Sequence, residues 1–182
     1  MFYKGERTHI LISVVSLFLA FYVLLLRMGV KNPILPSLTI VIGFVLHELG
    51  HKLTAMKFGC IAVYRAWLEG LVLALALALF SPFIFAAPGA VYIYKPGLTI
   101  KEDGIISLAG PMTNILLAFL FLFLFLGTPL QVLAVWGFKV NFFLAAFNML
   151  PIPPLDGSKV FRWNIPIWAA VFLTSAYFGF LT

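Results

Sequence analysis

Long apolar runs, separated by short breaks that hold polar residues, proline or glycine, dominate the chain. The runs fall at about residues 10–26, 34–58, 68–87, 105–126, 130–150 and 165–181. A helix that crosses the hydrocarbon core of a bilayer needs about 17 to 25 predominantly apolar residues. Every run except the third can span by this measure, and the last is near the lower limit. The pattern therefore predicts an all-α polytopic membrane protein with about five to six transmembrane helices.

The third run is interrupted. Its continuous apolar part ends at Ser81 and Pro82, and Pro88 and Gly89 make a second break. This length suits a segment that enters the membrane and returns on the same side. Periodicity does not decide whether the alternating stretch LVLALALAL is a strand or a helix. The stretch GAVYIY (residues 89–94) is predicted as a β-strand because of its β-branched and aromatic content. We therefore predict a membrane re-entrant segment with room for short β-strands, and a spanning third segment stays the alternative.

The distribution of positive charge separates these two topologies. If the third segment spans, Lys and Arg divide almost evenly between the two sides. If it re-enters, one side holds Lys4, Arg7, Lys52, Lys57, Arg65, Lys95, Lys101, Lys159 and Arg162, and the other holds Arg27 and Lys31. Because cytoplasmic loops carry an excess of Lys and Arg, the charges favour re-entry. They predict a multi-pass protein of the cell membrane with a cytoplasmic N-terminus.

Composition supports a membrane protein and argues against other classes. Of the 182 residues, 63% are hydrophobic and 10% are charged, which is far from the usage of a soluble globular domain. We expect a single integral membrane domain over residues 1–182, embedded in the lipid bilayer. The net charge of +6 is scattered between apolar runs, so we expect no nucleic acid as a partner. Cys60 is the only cysteine, which excludes an internal disulfide, and we interpret it as an inert buried thiol.

The stretch FVLHELGHK, inside the second apolar run, carries the candidate chemistry. His47 and His51 are four residues apart and share one face of a helix, where two imidazoles can hold one metal ion. Zinc held in this way acidifies a bound water, and Glu48 is the carboxylate that takes the proton. A chance match on a core helix is the alternative. However, each ionisable group within a bilayer costs about 2.5 to 3.5 kcal/mol on insertion scales. A bound metal ion would explain the presence of all three ionisable residues, His47, Glu48 and His51, in this apolar run.

Two histidines leave a catalytic zinc site incomplete, because such sites usually have three protein ligands and one water. The other candidates are His9, Glu6, Glu69, Glu102, Asp103 and Asp156. Asp156 alone follows the end of a spanning segment, in a Pro-rich stretch that holds the backbone extended. With a re-entrant third segment it also emerges on the same membrane face as His47 and His51. We therefore predict Asp156 as the third ligand, against the alternative of an ordinary turn or N-cap aspartate.

Three motifs together give a family resemblance. HELGH on one helix, AGPMTN at residues 109–114 and NMLPIPPLDG at residues 148–157 resemble, in type and order, the site-2 protease family of intramembrane zinc metalloproteases. The resemblance covers a catalytic core of about residues 34–163. The flanking helices, at about residues 10–26 and 165–181, carry no motif.

The resemblance implies one Zn²⁺ per chain, bound by His47, His51 and Asp156, with Glu48 as the general base. It implies that Asn148 helps to hold the substrate carbonyl or its oxyanion. The implied substrate is a transmembrane segment of another protein, cut near the cytoplasmic side. It further implies that the re-entrant part, residues 83–94, offers a strand edge to an unwound substrate, although a packing element is an equal alternative there.

The function predicted from the sequence is therefore hydrolysis of a peptide bond in or near a transmembrane segment of a substrate protein, the step known as regulated intramembrane proteolysis. One alternative is a non-catalytic, zinc-stabilised membrane protein that binds partner helices, but structural zinc needs no neighbouring base such as Glu48. A zinc carrier is a second alternative, and it would be expected to show polar residues along a path across the bilayer. We interpret Asn114 as a structural residue that forms hydrogen bonds to a neighbouring core element. For Asn141, which shares a helical face with Asn148, we favour hydrogen bonding between helices, and a place in the catalytic seam is the alternative.

Overall fold

The computed structural model describes residues 3–82 and 88–181, and these residues are mostly helical. In chain order the elements are α1 (Glu6–Arg27), α2 (Ile34–Lys57), β1 (Ile61–Ala66), α3 (Leu68–Phe80), β2 (Gly89–Tyr94), α4 (Ile100–Phe125), α5 (Gln131–Asn148), α6 (Asp156–Trp163) and α7 (Ile165–Ala176). A π-helical turn, Tyr177–Leu181, continues α7. The all-α prediction therefore holds for most of the chain, with one small sheet added.

Three of the described helices, α1, α2 and α4, are long and apolar enough to cross a membrane. In α5, which is one continuous 18-residue helix, the polar residues Lys139 and Asn141 lie near the middle of the apolar run. The 12-residue α7 gives way to the π-helical turn at Tyr177. The prediction of five to six spans is therefore not confirmed, because polar residues and a change of helix type divide the apolar runs that suggested it.

The third apolar run leaves the sheet and returns to it. The backbone N–H of Trp67 donates to the carbonyl of Pro88 at 3.0 Å, so the two ends of the segment meet. Between them α3 runs along α1, where Arg27 Nη1 donates to the carbonyl oxygens of Ala78 (2.7 Å) and Ser81 (3.1 Å). LVLALALAL is thus helical, and the chain turns back as a re-entrant segment requires. Residues 83–87 lie outside the described part, and the depth of the segment in a bilayer stays a prediction.

The returning chain forms β2, which pairs antiparallel with β1 in a two-stranded sheet. The GAVYIY strand is confirmed, whereas β1 was not predicted. Tyr64 lies opposite Val91 in this register. Cys60, just before β1, is 6% exposed, and burial raises the pKa of its thiol, consistent with an inert thiol.

Small residues on α2 allow two other helices to approach it closely. A Cβ added to Gly43 would lie 2.7 Å from Asn141 Oδ1 on α5, and one added to Gly50 would lie 3.0 Å from the carbonyl oxygen of Ala109 on α4. Such small-residue contacts are typical of helix packing in membranes. They place α4 and α5 directly against the face of α2 that carries the HELGH motif.

Candidate metal centre

Three side chains predicted as ligands converge on one point. The Nε2 atoms of His47 and His51 lie 3.0 Å apart, and Asp156 Oδ2 lies 3.2 Å from the first and 3.1 Å from the second. Ligand atoms at about 2.1 Å from a tetrahedral zinc ion lie roughly 3.4 Å from one another. All three residues are largely buried, and they form a group of the size that one metal ion requires.

Hydrogen bonds on the far side of each ring set the histidine tautomers. His51 Nδ1 lies 2.8 Å from the carbonyl oxygen of Ile106, which can only accept, so Nδ1 carries the proton. His47 Nδ1 lies 2.6 Å from Asn114 Oδ1 and donates to it. Both Nε2 atoms therefore present lone pairs toward Asp156. Three acceptors converge without a donor between them, an arrangement that a bound cation stabilises, so these residues fit a divalent metal ion.

The orientation of Asn114 is itself fixed by a buried chain of amides. Its Nδ2 donates to the carbonyl of Gly43 on α2 and to Asn141 Oδ1 on α5, each at 3.0 Å. Asn141 Nδ2 in turn donates to the carbonyl of Gly137 at 2.8 Å. The structural role predicted for both asparagines is confirmed. The sequence did not reveal that this series of hydrogen bonds ends at His47. Through it, α5 and α4 are connected to a predicted metal ligand.

Gly110, in the AGPMTN motif, leaves room beside the ligand atoms. A Cβ built on this glycine would lie 2.6 Å from His47 Nε2 and 2.5 Å from His51 Cε1. A methyl group there would collide with both rings. The glycine is therefore required by the close approach of α4 to the site, as its helical backbone needs no special φ.

Asp156 reaches the site because the chain folds sharply between α5 and α6. It is the first residue of α6, and its side chain is 15% exposed. A Cβ on the next residue, Gly157, would lie within 2.5 Å of the carbonyl oxygen of Leu150, so only glycine allows this close return. Trp168 Nε1 holds the same loop by donating to the carbonyl of Met149 at 2.7 Å.

Proteins similar to this chain carry names that agree with a metal centre. "Putative zinc metalloprotease MJ0611" of Methanocaldococcus jannaschii is 53% identical over 133 residues, which are 71% of this chain and 70% of that protein. "Putative zinc metalloprotease YwhC" of Bacillus subtilis is 30% identical over 169 residues, 79% of this chain and 75% of that protein. The chain belongs to the zinc metalloprotease family of MJ0611 and YwhC.

The chain is also similar to "Putative zinc metalloprotease Rip2" of Mycolicibacterium smegmatis, with 36% identity over 129 residues. These are 62% of this chain and 50% of that protein. No protein-family model matches the chain, and no solved structure matches it.

The two residues predicted as catalytic in this metalloprotease occupy different settings. Glu48 adjoins His47 on α2 and is partly buried, and its Oε2 accepts from the backbone N–H of Val91 at 2.9 Å. Asn148 ends α5, and its Nδ2 donates to the carbonyl of Leu144, one turn earlier, at 3.0 Å. Glu48 is thus attached to the sheet, whereas the role of Asn148 stays a prediction.

Other acids and histidines that were candidates for the third ligand lie elsewhere in the metalloprotease. His9 Nδ1 accepts from the backbone N–H of Ala66 at 3.3 Å. Glu102 forms a capping box with Thr99 at the start of α4. Asp103 pairs with Lys159 on α6. His9 and Asp103 therefore connect neighbouring elements, Glu102 caps its own helix, and the group that could hold a metal ion consists of His47, His51 and Asp156 among the described residues.

An ion pair beside the HELGH motif was not predicted. Lys52, the residue after His51, is buried, and its Nζ lies 2.6 Å from Glu6 Oε1 and 2.7 Å from the carbonyl oxygen of Ala62. Glu6 also accepts from the backbone N–H of Tyr64 at 2.9 Å. Partners that are 46 residues apart leave no periodic signal in a sequence. The pair connects α1, α2 and β1 in this family member.

Proposed function

We propose that the chain is an intramembrane zinc metalloprotease of the site-2 protease type, which hydrolyses a peptide bond in or near a transmembrane segment of another protein. The observation that carries the proposal is the convergence of His47, His51 and Asp156, with Glu48 on the same helix as both histidines. This helix, α2, is long and apolar enough to cross a membrane. A hydrolytic site on such a helix favours substrates that are themselves in the bilayer.

The residues present divide the reaction between them. A zinc ion held by the three ligands would supply Lewis acidity toward water and toward a peptide carbonyl. Glu48 removes a proton from the attacking water and later gives it to the leaving amine nitrogen, as a general base and then a general acid. Asn148 offers an amide donor to the carbonyl oxygen of the scissile bond, as the family resemblance implies.

The sheet offers a place for the substrate backbone. The outer edge of β1 is covered, because Glu6, His9 and Lys52 bind its outward N–H and C=O groups. The outer edge of β2 faces the site, where the N–H of Val91 reaches Glu48. A substrate strand that pairs with β2 would offer a carbonyl to this N–H. Glu48 would then lose one hydrogen bond, and its carboxylate would become available for proton transfer.

The site is proposed to lie toward the cytoplasmic side of the cell membrane. The distribution of Lys and Arg supports this orientation. The hydrogen bond between Trp67 and Pro88 is in keeping with this orientation, because it joins the two ends of the third apolar run at the sheet, as a re-entrant segment requires. Access of cysteine reagents at Lys57→Cys and Lys101→Cys tests the topology, and labelling from opposite faces would contradict it.

The catalytic proposal is tested with the purified protein in liposomes, together with a single-pass membrane protein as substrate. Glu48→Gln is expected to lower the cleavage rate by about 10² to 10⁴-fold, the usual contribution of a general base, without lowering the zinc content. The matched control is Glu69→Gln, because Glu69 is exposed at the start of α3. Undiminished cleavage by Glu48→Gln would refute the role of this carboxylate. Zinc binding without any cleavage by the wild type would favour the non-catalytic alternative.

A further inference from the structure

An apolar cavity of about 140 Å³ lies between α2, the N-terminal part of α1 and the sheet. Its lining residues are Glu6, Ile10, Phe44, Val45, Glu48, Leu49, Lys52, Tyr64 and Val91. The cavity therefore reaches both the proposed general base and the strand edge that faces it. Neither the proposed hydrolysis nor the three metal ligands account for this space.

The sheet register relates the cavity to the proposed substrate strand. Tyr64 and Val91 are opposite each other, so their side chains lie on the same face of the sheet, and both line the cavity. A third strand added along β2 would place one of its residues opposite Val91. The side chain of that residue would project to the same face and into the space beside Glu48.

Apart from Glu48, the polar groups that line the cavity already have partners within the protein. Lys52 Nζ binds Glu6 Oε1 at 2.6 Å and the carbonyl oxygen of Ala62 at 2.7 Å. The Tyr64 hydroxyl donates to Ser13 Oγ at 2.8 Å, and burial raises its pKa, so it stays protonated. A polar side chain that entered would lose its hydrogen bonds to water and would find no free partner in the wall apart from Glu48, whose carboxylate is engaged by the attacking water, and this loss opposes its binding.

We propose that this cavity is the substrate's side-chain pocket, and that it selects one aliphatic or aromatic residue next to the scissile bond. Its volume supports a single occupant, because an engineered apolar cavity of about 150 Å³ binds one benzene molecule. Leu, Ile, Met and Phe side chains fit this description, whereas Ser and Asp side chains do not. The assignment rests on the proposed protease function and adds sequence selectivity to it.

Ile10 gives the sharpest test, because it lines the cavity from α1 and is not part of the metal site or the strand edge. Ile10→Phe reduces the pocket and Ile10→Ala enlarges it. The matched controls are Leu11→Phe and Leu11→Ala, since Leu11 is the next residue on α1 and is 61% exposed. Zinc content is measured for each variant as a check that the protein is folded.

The readout is cleavage of one transmembrane substrate in which each residue around the mapped scissile bond is changed in turn to Ala, Ser, Leu or Phe. The wild type is expected to prefer Leu or Phe over Ser by about tenfold or more at one position. Ile10→Phe should reverse this preference toward Ala, and Ile10→Ala should shift it toward Phe, at that position alone. If the Ile10→Phe protein does not retain zinc and is therefore not folded, the change of preference in Ile10→Ala tests the pocket on its own.

Three results would count against the pocket, and they are distinguishable. Efficient cleavage with the same preferences in both Ile10 variants and the wild type would overturn the pocket and leave the protease function intact. Absence of any cleavage by zinc-loaded wild type would overturn the proposed function, and the pocket assignment with it. A shift that the Leu11 controls reproduce would also overturn the pocket, because the effect would then not depend on the cavity.

Discussion

The side chain of Asn114 accepts a hydrogen bond from His47, with Nδ1 and Oδ1 2.6 Å apart. This bond directs the other ring nitrogen toward Asp156, and so α4 controls the orientation of a ligand on α2. Partners of this kind fix the tautomer of a metal-binding histidine and raise its basicity.

Asn114→Ala is expected to weaken zinc binding by about 10 to 100-fold, the usual effect of removing such a partner. Competition with a chelator measures the affinity directly. Asn141→Ala removes the next link of the same amide chain, which contacts Asn114 but not His47. Its effect on zinc should therefore be smaller. Equal affinities of Asn114→Ala and the wild type would show that His47 needs no partner on α4.

Gly110→Ala should abolish stoichiometric zinc binding, because the added methyl group would collide with both imidazole rings. Zinc per chain after purification gives the answer. Leu116→Ala is the control, since Leu116 lies on the same helix and is 67% exposed. A Gly110→Ala protein that retained one zinc per chain would show that α4 can move away from the site at little cost.

Breaking the buried pair of Lys52 and Glu6 should destabilise the fold by about 3 to 5 kcal/mol in either single variant, Glu6→Gln or Lys52→Met, because each leaves an uncompensated buried group. Denaturant unfolding in detergent measures the loss. The double variant should lose less than the sum of the two single losses, because it leaves no uncompensated charge. Additive losses would mean that the two residues act independently.

Val91→Pro removes the N–H that reaches Glu48 and is tolerated best at an outward-facing strand position. We expect kcat/KM to fall by about tenfold, comparable with roughly 1.5 kcal/mol for one hydrogen bond, while zinc content is unchanged. Ala90→Pro is the contrast, because alternation in an antiparallel pair points its N–H toward β1, and it should destabilise the sheet. Unchanged kinetics in Val91→Pro would argue against a role of this edge in catalysis.

The sequence predicted the grouping of His47, His51 and Asp156 better than the fold around it. The i, i+4 spacing of His47 and His51 defines one helical face whatever the rest of the chain does, and the Pro-rich stretch before Asp156 restricts its backbone. GAVYIY was predicted as a strand from its composition. Each of these features depends on the conformation of a few neighbouring residues, so a short stretch of sequence is enough to predict it.

The contacts that the sequence did not reveal are long-range. The IAVYRA strand is short and becomes a strand through its partner β2, and the pairing of Glu6 with Lys52 depends on how α1 docks. The count of five to six spans is not confirmed, because three of the described helices are long and apolar enough to cross a membrane. Packing between distant elements determines the strand pairing and the ion pair.

The proposed function requires that one zinc ion, held by His47, His51 and Asp156, makes the chain a protease. Zinc is titrated into metal-stripped protein in liposomes, and bound zinc and cleavage of a transmembrane substrate are measured on the same samples. Cleavage is predicted to be absent from the stripped protein, to rise in proportion to bound zinc and to reach its maximum at one zinc per chain. Full cleavage by the stripped protein, or zinc binding at one per chain without cleavage, would show that zinc at this site does not make the chain a protease.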